Sequence, residues 1–207
     1  MKKVFLFIGL FFALNATSQS NYEKGMQQAF ALWDEGKLTE ASQLFERIAA
    51  AEKENWLPPF YAAYIEILGS FGIKDETILN AKLTKAQKLL DDATSISENN
   101  PEIIITQALL NTAYIAFDGQ RYGMTMSGKN SQLYAKALQI APKNPRVILG
   151  NAEWNMGAAK FFGQSTKPFC DEIKRAIEIG KEEKNDIPFY PRFQLKRAED
   201  VLKKCEG

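Results

Sequence analysis

Ser131 to Trp154 reads SQLYAKALQIAPKNPRVILGNAEW. Tyr134, Ala137 and Leu138 fall at i, i+3 and i+4, which is the spacing of a narrow apolar stripe along one helix. Pro142 cannot continue that helix, because it has no backbone N–H and its ring crowds the turn before it. Pro145 suits the first turn of a second helix, where the missing donor has no partner to lose. The stretch therefore predicts a helix, a short fixed turn and another helix.

Working outward, the same unit recurs 44 residues earlier. Pro101 matches Pro145, Ala108 matches Ala152, Asn111 matches Asn155, and Phe117, Gly119 and Gln120 recur as Phe161, Gly163 and Gln164. A fixed period of this length signals stacked units rather than one wound core. Ile103-Ile104-Ile105-Thr106 is β-branched and suits a strand. Its match to Val147-Ile148-Leu149, behind a proline at the helix start, predicts helix instead.

The N-terminal half follows the same pattern. Asn21–Glu35 carries Ala29, Phe30 and Trp33 on one face, and Gly36 ends it. Leu38–Ala51 is its partner, with Leu38, Ala41, Leu44, Phe45 and Ile48 as the stripe. Pro58–Leu68 is aromatic on several sides, and Asp75 caps a long helix to Ser97 with Leu79, Leu83, Ala86, Leu90 and Ala93 inward. Lys167–Glu183 forms the last paired helix, Ile187-Pro188-Phe189-Tyr190-Pro191 a stiff corner, and Arg192–Cys205 a closing helix with a charged outer face.

Gly36, Ala41 and Phe45, with Ile48 where Ala is usual, and Ala86, Leu90 and Ala93 before Asn99-Asn100-Pro101, resemble the tetratricopeptide (TPR) repeat family. The resemblance spans Asn21 to Glu183. It implies an all-α, right-handed TPR-like solenoid of about four helix pairs plus a C-terminal capping helix. It is similar to short exported bacterial TPR proteins. The third unit departs from the pattern by a Gly-rich insertion, Gly119–Asn130, expected as a loop between its two helices.

MKKVFLFIGLFFALNATSQS opens the chain: two lysines, an apolar run from Val4 to Leu14, and Ala16-Thr17-Ser18 before Gln19. This predicts a cleaved secretory signal over 1–18 and a single mature domain over 19–207. Eleven apolar residues are too few to span a bilayer, which takes about 20. With no cysteine after the run, a lipid anchor is not expected. The protein is expected in the periplasm or outside the cell, with no membrane span after cleavage.

The mature chain would hold 24 basic and 25 acidic residues, a net charge of −1, so no electrostatic pull toward nucleic acid is expected. Histidine is absent from all 207 residues. That removes imidazole general bases, Ser-His and Cys-His nucleophile pairs and His-containing metal sites. With no phosphate loop and no metal-ligand spacing, an enzyme, a bound metal or a cofactor is not expected.

Candidate binding residues gather in the repeated units. Asn111 and Asn155 either face a groove and hold a peptide backbone, as the repeat resemblance suggests, or tie each helix to its neighbouring loop, the reading we favour. Arg121, Tyr122, Met124 and Lys129 in the insertion make an adaptable contact surface or a filler loop. Trp154, Phe162 and Gln164 complete the set. Trp33, Trp56, Trp154 and the Phe161-Phe162 pair are expected mostly in the core. The midpoint of Cys170 and Cys205 falls close to the centre of the 181–191 corner, a register that permits a bridge; two free buried thiols are the alternative. The expected function is a non-enzymatic exported scaffold, binding a protein or peptide partner of the cell envelope through the concave face and the 119–130 loop. A small-ligand binder, with its pocket between that loop and the 145–162 helix, is the alternative.

Overall fold

The structure is a computed structural model that describes residues 21–206; the predicted signal segment 1–18 lies outside the described residues. Among the described residues it is all-helical, with no strand. Helix α1 covers 21–34, α2 Leu38–Ala51, α3 Leu57–Leu68, α4 Glu76–Ile96, α5 Pro101–Phe117, α6 Gly119–Ile140, α7 Pro145–Phe161, α8 Cys170–Lys181 and α9 Leu195–Glu206. A short 3-10 turn, Lys167–Phe169, leads into α8.

Capping explains the repeat. Asn100 accepts from the Glu102 N–H and Asn144 from the Arg146 and Val147 N–H groups, and a proline follows each cap. The two helices are the same length, 17 residues. The cap satisfies donors the first turn leaves unpaired, and the proline presets φ. Each of the helices α3, α5 and α7 packs mainly on its successor, α3 on α4, α5 on α6 and α7 on α8. The odd-numbered helices α3, α5 and α7 also touch one another in turn.

The insertion expected as a loop is helix. Gly119–Asn130 forms the first half of α6, joined to α5 by Asp118 alone. Asp118 ends α5 and caps α6, its side chain accepting from the Arg121 N–H at 3.0 Å. Forty-four residues on, Phe162 stands where Asp118 does and has no oxygen to offer. There the chain turns away through Gly163, at φ +65°, and no α-helix restarts until α8.

The core has two bodies. One joins α1 to α5 around Phe45, Tyr61, Leu83 and Leu90, and the other joins α7, α8 and α9 around Ile148, Ile173 and Ala176. Ile104, Ala137 and Val147 bridge them. Cys170 and Cys205 are bonded, tying α9 to the start of α8 across 35 residues.

Candidate ligand-binding cleft

Helices α6 and α7 meet closely at only one end. Near their connecting turn, the Tyr134 ring stacks on Trp154 at 6.4 Å, and the Trp154 indole N–H donates to Ser131 Oγ at 3.2 Å. Tyr134 also packs against the bare face of Gly150. Burial pushes the Tyr134 phenol up, with nearby Glu153 adding to it, so the hydroxyl stays neutral.

These contacts set a register. The stripe of α6 that faces α7 runs through Met124, Ser127, Ser131 and Tyr134, and the α7 stripe runs through Gly150, Trp154, Gly157 and Phe161. Continued residue by residue, it puts Met124 level with Phe161. Yet Met124 is 93% exposed and Phe161 81% exposed, and Gly157 faces open space. Beyond the contact of Trp154 with Ser131 and Tyr134, the facing positions of the two helices are therefore open to solvent, which makes this side a candidate cleft. Phe162 extends the apolar wall, 70% exposed and edge-on to Phe161 at 5.1 Å.

The Phe161-Phe162 pair therefore lies on the surface, not in the core. Phe117, at the equivalent repeat position, packs against the first core body. Lys160 and Gln164, beside the pair, and Lys129 on α6 are exposed.

The remaining residues named from sequence are dispersed. Asn111 donates to Asn130 Oδ1 at 2.9 Å and so joins α5 to α6. Asn155 is half-buried on α7. Arg121 and Tyr122 turn toward α4. Arg121 pairs with Glu76 and lies 5.0 Å from the Tyr122 ring centre, while Tyr122 contacts Tyr114 at 5.1 Å.

A second depression lies at the opposite end of α7. It is an open cleft of about 620 Å³ lined by Lys143, Asn144, Arg146, Ile179, Lys184 and Tyr190, among others. Its buried cation is paired: Arg146 Nε bonds both oxygens of Glu102 at 3.0 Å, and Arg146 Nη1 bonds Glu183 at 2.8 Å. Glu102 was missed from sequence, since nothing local marks an acid after a helix-starting proline as buried. It is 1% exposed. Burial raises its pKa, while Arg146 and Asn144 pull the other way.

In overall fold the chain is similar to the HusA haemophore from Porphyromonas gingivalis, with a TM-score of 0.76 and 23% identity over 89% of this chain and 92% of that one. No protein-family model and no curated protein sequence matches it. The likeness is one of fold.

Proposed function

We propose that this protein is an exported binder of a small, flat, amphipathic ligand, and that a haem-type tetrapyrrole is the class it takes, in the α6–α7 cleft. We further read the stack of helix pairs as a TPR-like right-handed solenoid closed by α9. The exposure of Phe161, beside Phe162 and level with Met124, carries the functional reading. One repeat earlier the same position, Phe117, is partly buried against the first core body. A contiguous exposed apolar patch marks a binding surface. Aromatic rings and a thioether suit the face of a large π-system.

The haemophore fold supports the same class. Lys160, exposed beside the pair, is free to meet a ligand carboxylate, and Gly157 leaves room for a ring between the walls. Without histidine, imidazole cannot ligate iron here, and this reading rests affinity on ring contact and charge rather than on an iron ligand.

Titration with hemin and with metal-free protoporphyrin IX tests this. Both should bind, within about tenfold of each other. Phe161→Ala with Phe162→Ala should weaken both by more than about tenfold, since each loses a stacked ring. Binding of hemin alone, or full affinity in the double variant, would remove the reading.

A further inference from the structure

Residues 182–192, between α8 and α9, do not simply turn a corner. They run back across the odd-numbered helices. The Phe189 ring lies parallel to Phe30 of α1 at 6.0 Å and edge-on to Tyr22 at 5.7 Å. The Tyr61 hydroxyl of α3 donates to the Phe189 carbonyl at 2.6 Å. Tyr190 meets Trp56 at 5.8 Å and lies 5.6 Å from the Arg146 guanidinium.

This strap is held lightly. No residue from 182 to 192 is buried, and none lies in a helix. Phe189 sits at φ +61°, the left-handed region that costs an L-residue about 1 kcal/mol or more. Its ends are held together instead: Phe193 packs over the bare face of Gly180, and the Phe193 N–H donates to Glu183 at 3.2 Å. The Cys170–Cys205 bond holds α9 in place beyond. An exposed, non-helical segment that is held by side-chain contacts at Phe189 and Tyr190 and pinned at Glu183 by Arg146 and Phe193 describes one that opens without global unfolding.

We infer that 182–192 is a lid that swings out as a loop tethered at both ends, uncovering an aromatic slot walled by Tyr22, Phe30 and Tyr61. The slot binds a flat aromatic ring carrying a carbonyl oxygen. Phe189 is the resident stand-in for both parts: its ring fills the slot, and its carbonyl takes the Tyr61 hydroxyl. The tether gives the strap a high effective concentration, so an external ligand binds the wild type weakly.

Acetophenone, a ring with a carbonyl, is the probe, followed by saturation-transfer NMR and hydrogen exchange on the disulfide-intact protein. Phe189→Ala should bind it at least about tenfold more tightly than wild type, because the competing ring is gone. Phe189→Gly removes the same ring, tolerates the positive φ and serves if the alanine variant misfolds. Adding Tyr61→Phe to either should cost about fivefold, one neutral hydrogen bond. Saturating acetophenone should speed exchange in wild-type 182–192, while Phe161→Ala with Phe162→Ala should leave its affinity unchanged. Four results would overturn the lid: no gain from removing the Phe189 ring, no loss with Tyr61→Phe, unchanged strap exchange, or dependence on Phe161 and Phe162.

Discussion

Asn111 on α5 donates its amide to Asn130 on α6 at 2.9 Å, and Asn130 in turn donates to the Ala108 carbonyl at 3.0 Å and Thr112 Oγ1 at 3.1 Å. Asn130 is fully buried. Its bonds fasten the first half of α6 to α5 where three glycines give no apolar grip. Asn130→Ala should cost about 1–3 kcal/mol, the desolvation penalty of the partners it strands. Asn111→Ala, at a half-buried position, should cost less. Neither should change hemin affinity. Urea unfolding and hemin titration of the two variants check this, and a loss of hemin binding in folded Asn111→Ala would return that residue to the binding surface.

The Glu102–Arg146 pair should show itself in pH dependence. Glu102 has a folded pKa raised above its unfolded value, first by burial. It therefore holds its proton more tightly when folded, and its contribution to stability falls as pH rises from the unfolded value of about 4.3 through the folded one. Glu102→Gln should lack that slope. Arg146→Met leaves a buried acid without its cation and should cost about 3–5 kcal/mol near neutrality. The cost should shrink on acidification, because Glu102 then accepts a proton. Urea midpoints from pH 4.5 to 8 decide; a pH-independent penalty in Arg146→Met would contradict the assignment.

Glu66 should act in the opposite sense. Burial alone would raise its carboxyl, but hydrogen bonds from Lys82, Lys85 and Ser42 bring it below the usual range. Lys82 and Lys85 lie at 2.9 and 3.0 Å and Ser42 at 2.9 Å, so the group joins α2, α3 and α4. Its stabilisation is present above the unfolded pKa and lost as pH falls through the folded one. Glu66→Gln should thus be destabilised at pH 7 and converge on wild type at the lowest pH where both fold.

Serine at both positions of the Cys170–Cys205 bond should lower stability by about 3–4 kcal/mol, the chain-entropy cost of opening a loop of this length. Thermal unfolding of the double serine variant measures it. Under non-reducing, denaturing conditions the wild type should offer no alkylatable thiol.

How legible this was depended on whether a residue's signal is local. The all-helical class and the paired helices α5 and α7 follow from prolines, Asn caps and stripe spacing, which act within a turn or two. The first half of α6 was hidden by Gly119, Gly123 and Gly128, which weigh against helix by about 1 kcal/mol each. Asp118 as a cap was the available local signal, and Asn130 supplies the tertiary fastening that overrides propensity. In the cleft, Trp154, Met124 and Phe162 were marked by residue type. The exposure of Phe161 was not, because a repeated aromatic reads as core until the neighbouring unit is seen to be missing. The strap's partners stand too far off in sequence to be read: Tyr61 and Phe189 are 128 residues apart.

Gly180 offers the sharpest local test. A methyl group there would stand 2.1 Å from Phe193 Cδ1 and 2.4 Å from Cε1, well inside contact distance. Phe193 must then rotate off α8, and its N–H bond to Glu183 is lost with it. Gly180→Ala improves intrinsic helix propensity by about 1 kcal/mol. Overpacking outweighs that gain, so the variant should be destabilised by about 1–3 kcal/mol. Phe193→Ala alone should also be destabilised, through lost burial against α8. Placed together, the added methyl no longer meets a ring, so the double variant should be more stable than the sum of the single costs allows. A coupling near zero in that double-mutant cycle would mean the two residues are not packed as described, and the pinned base of the strap would go with them.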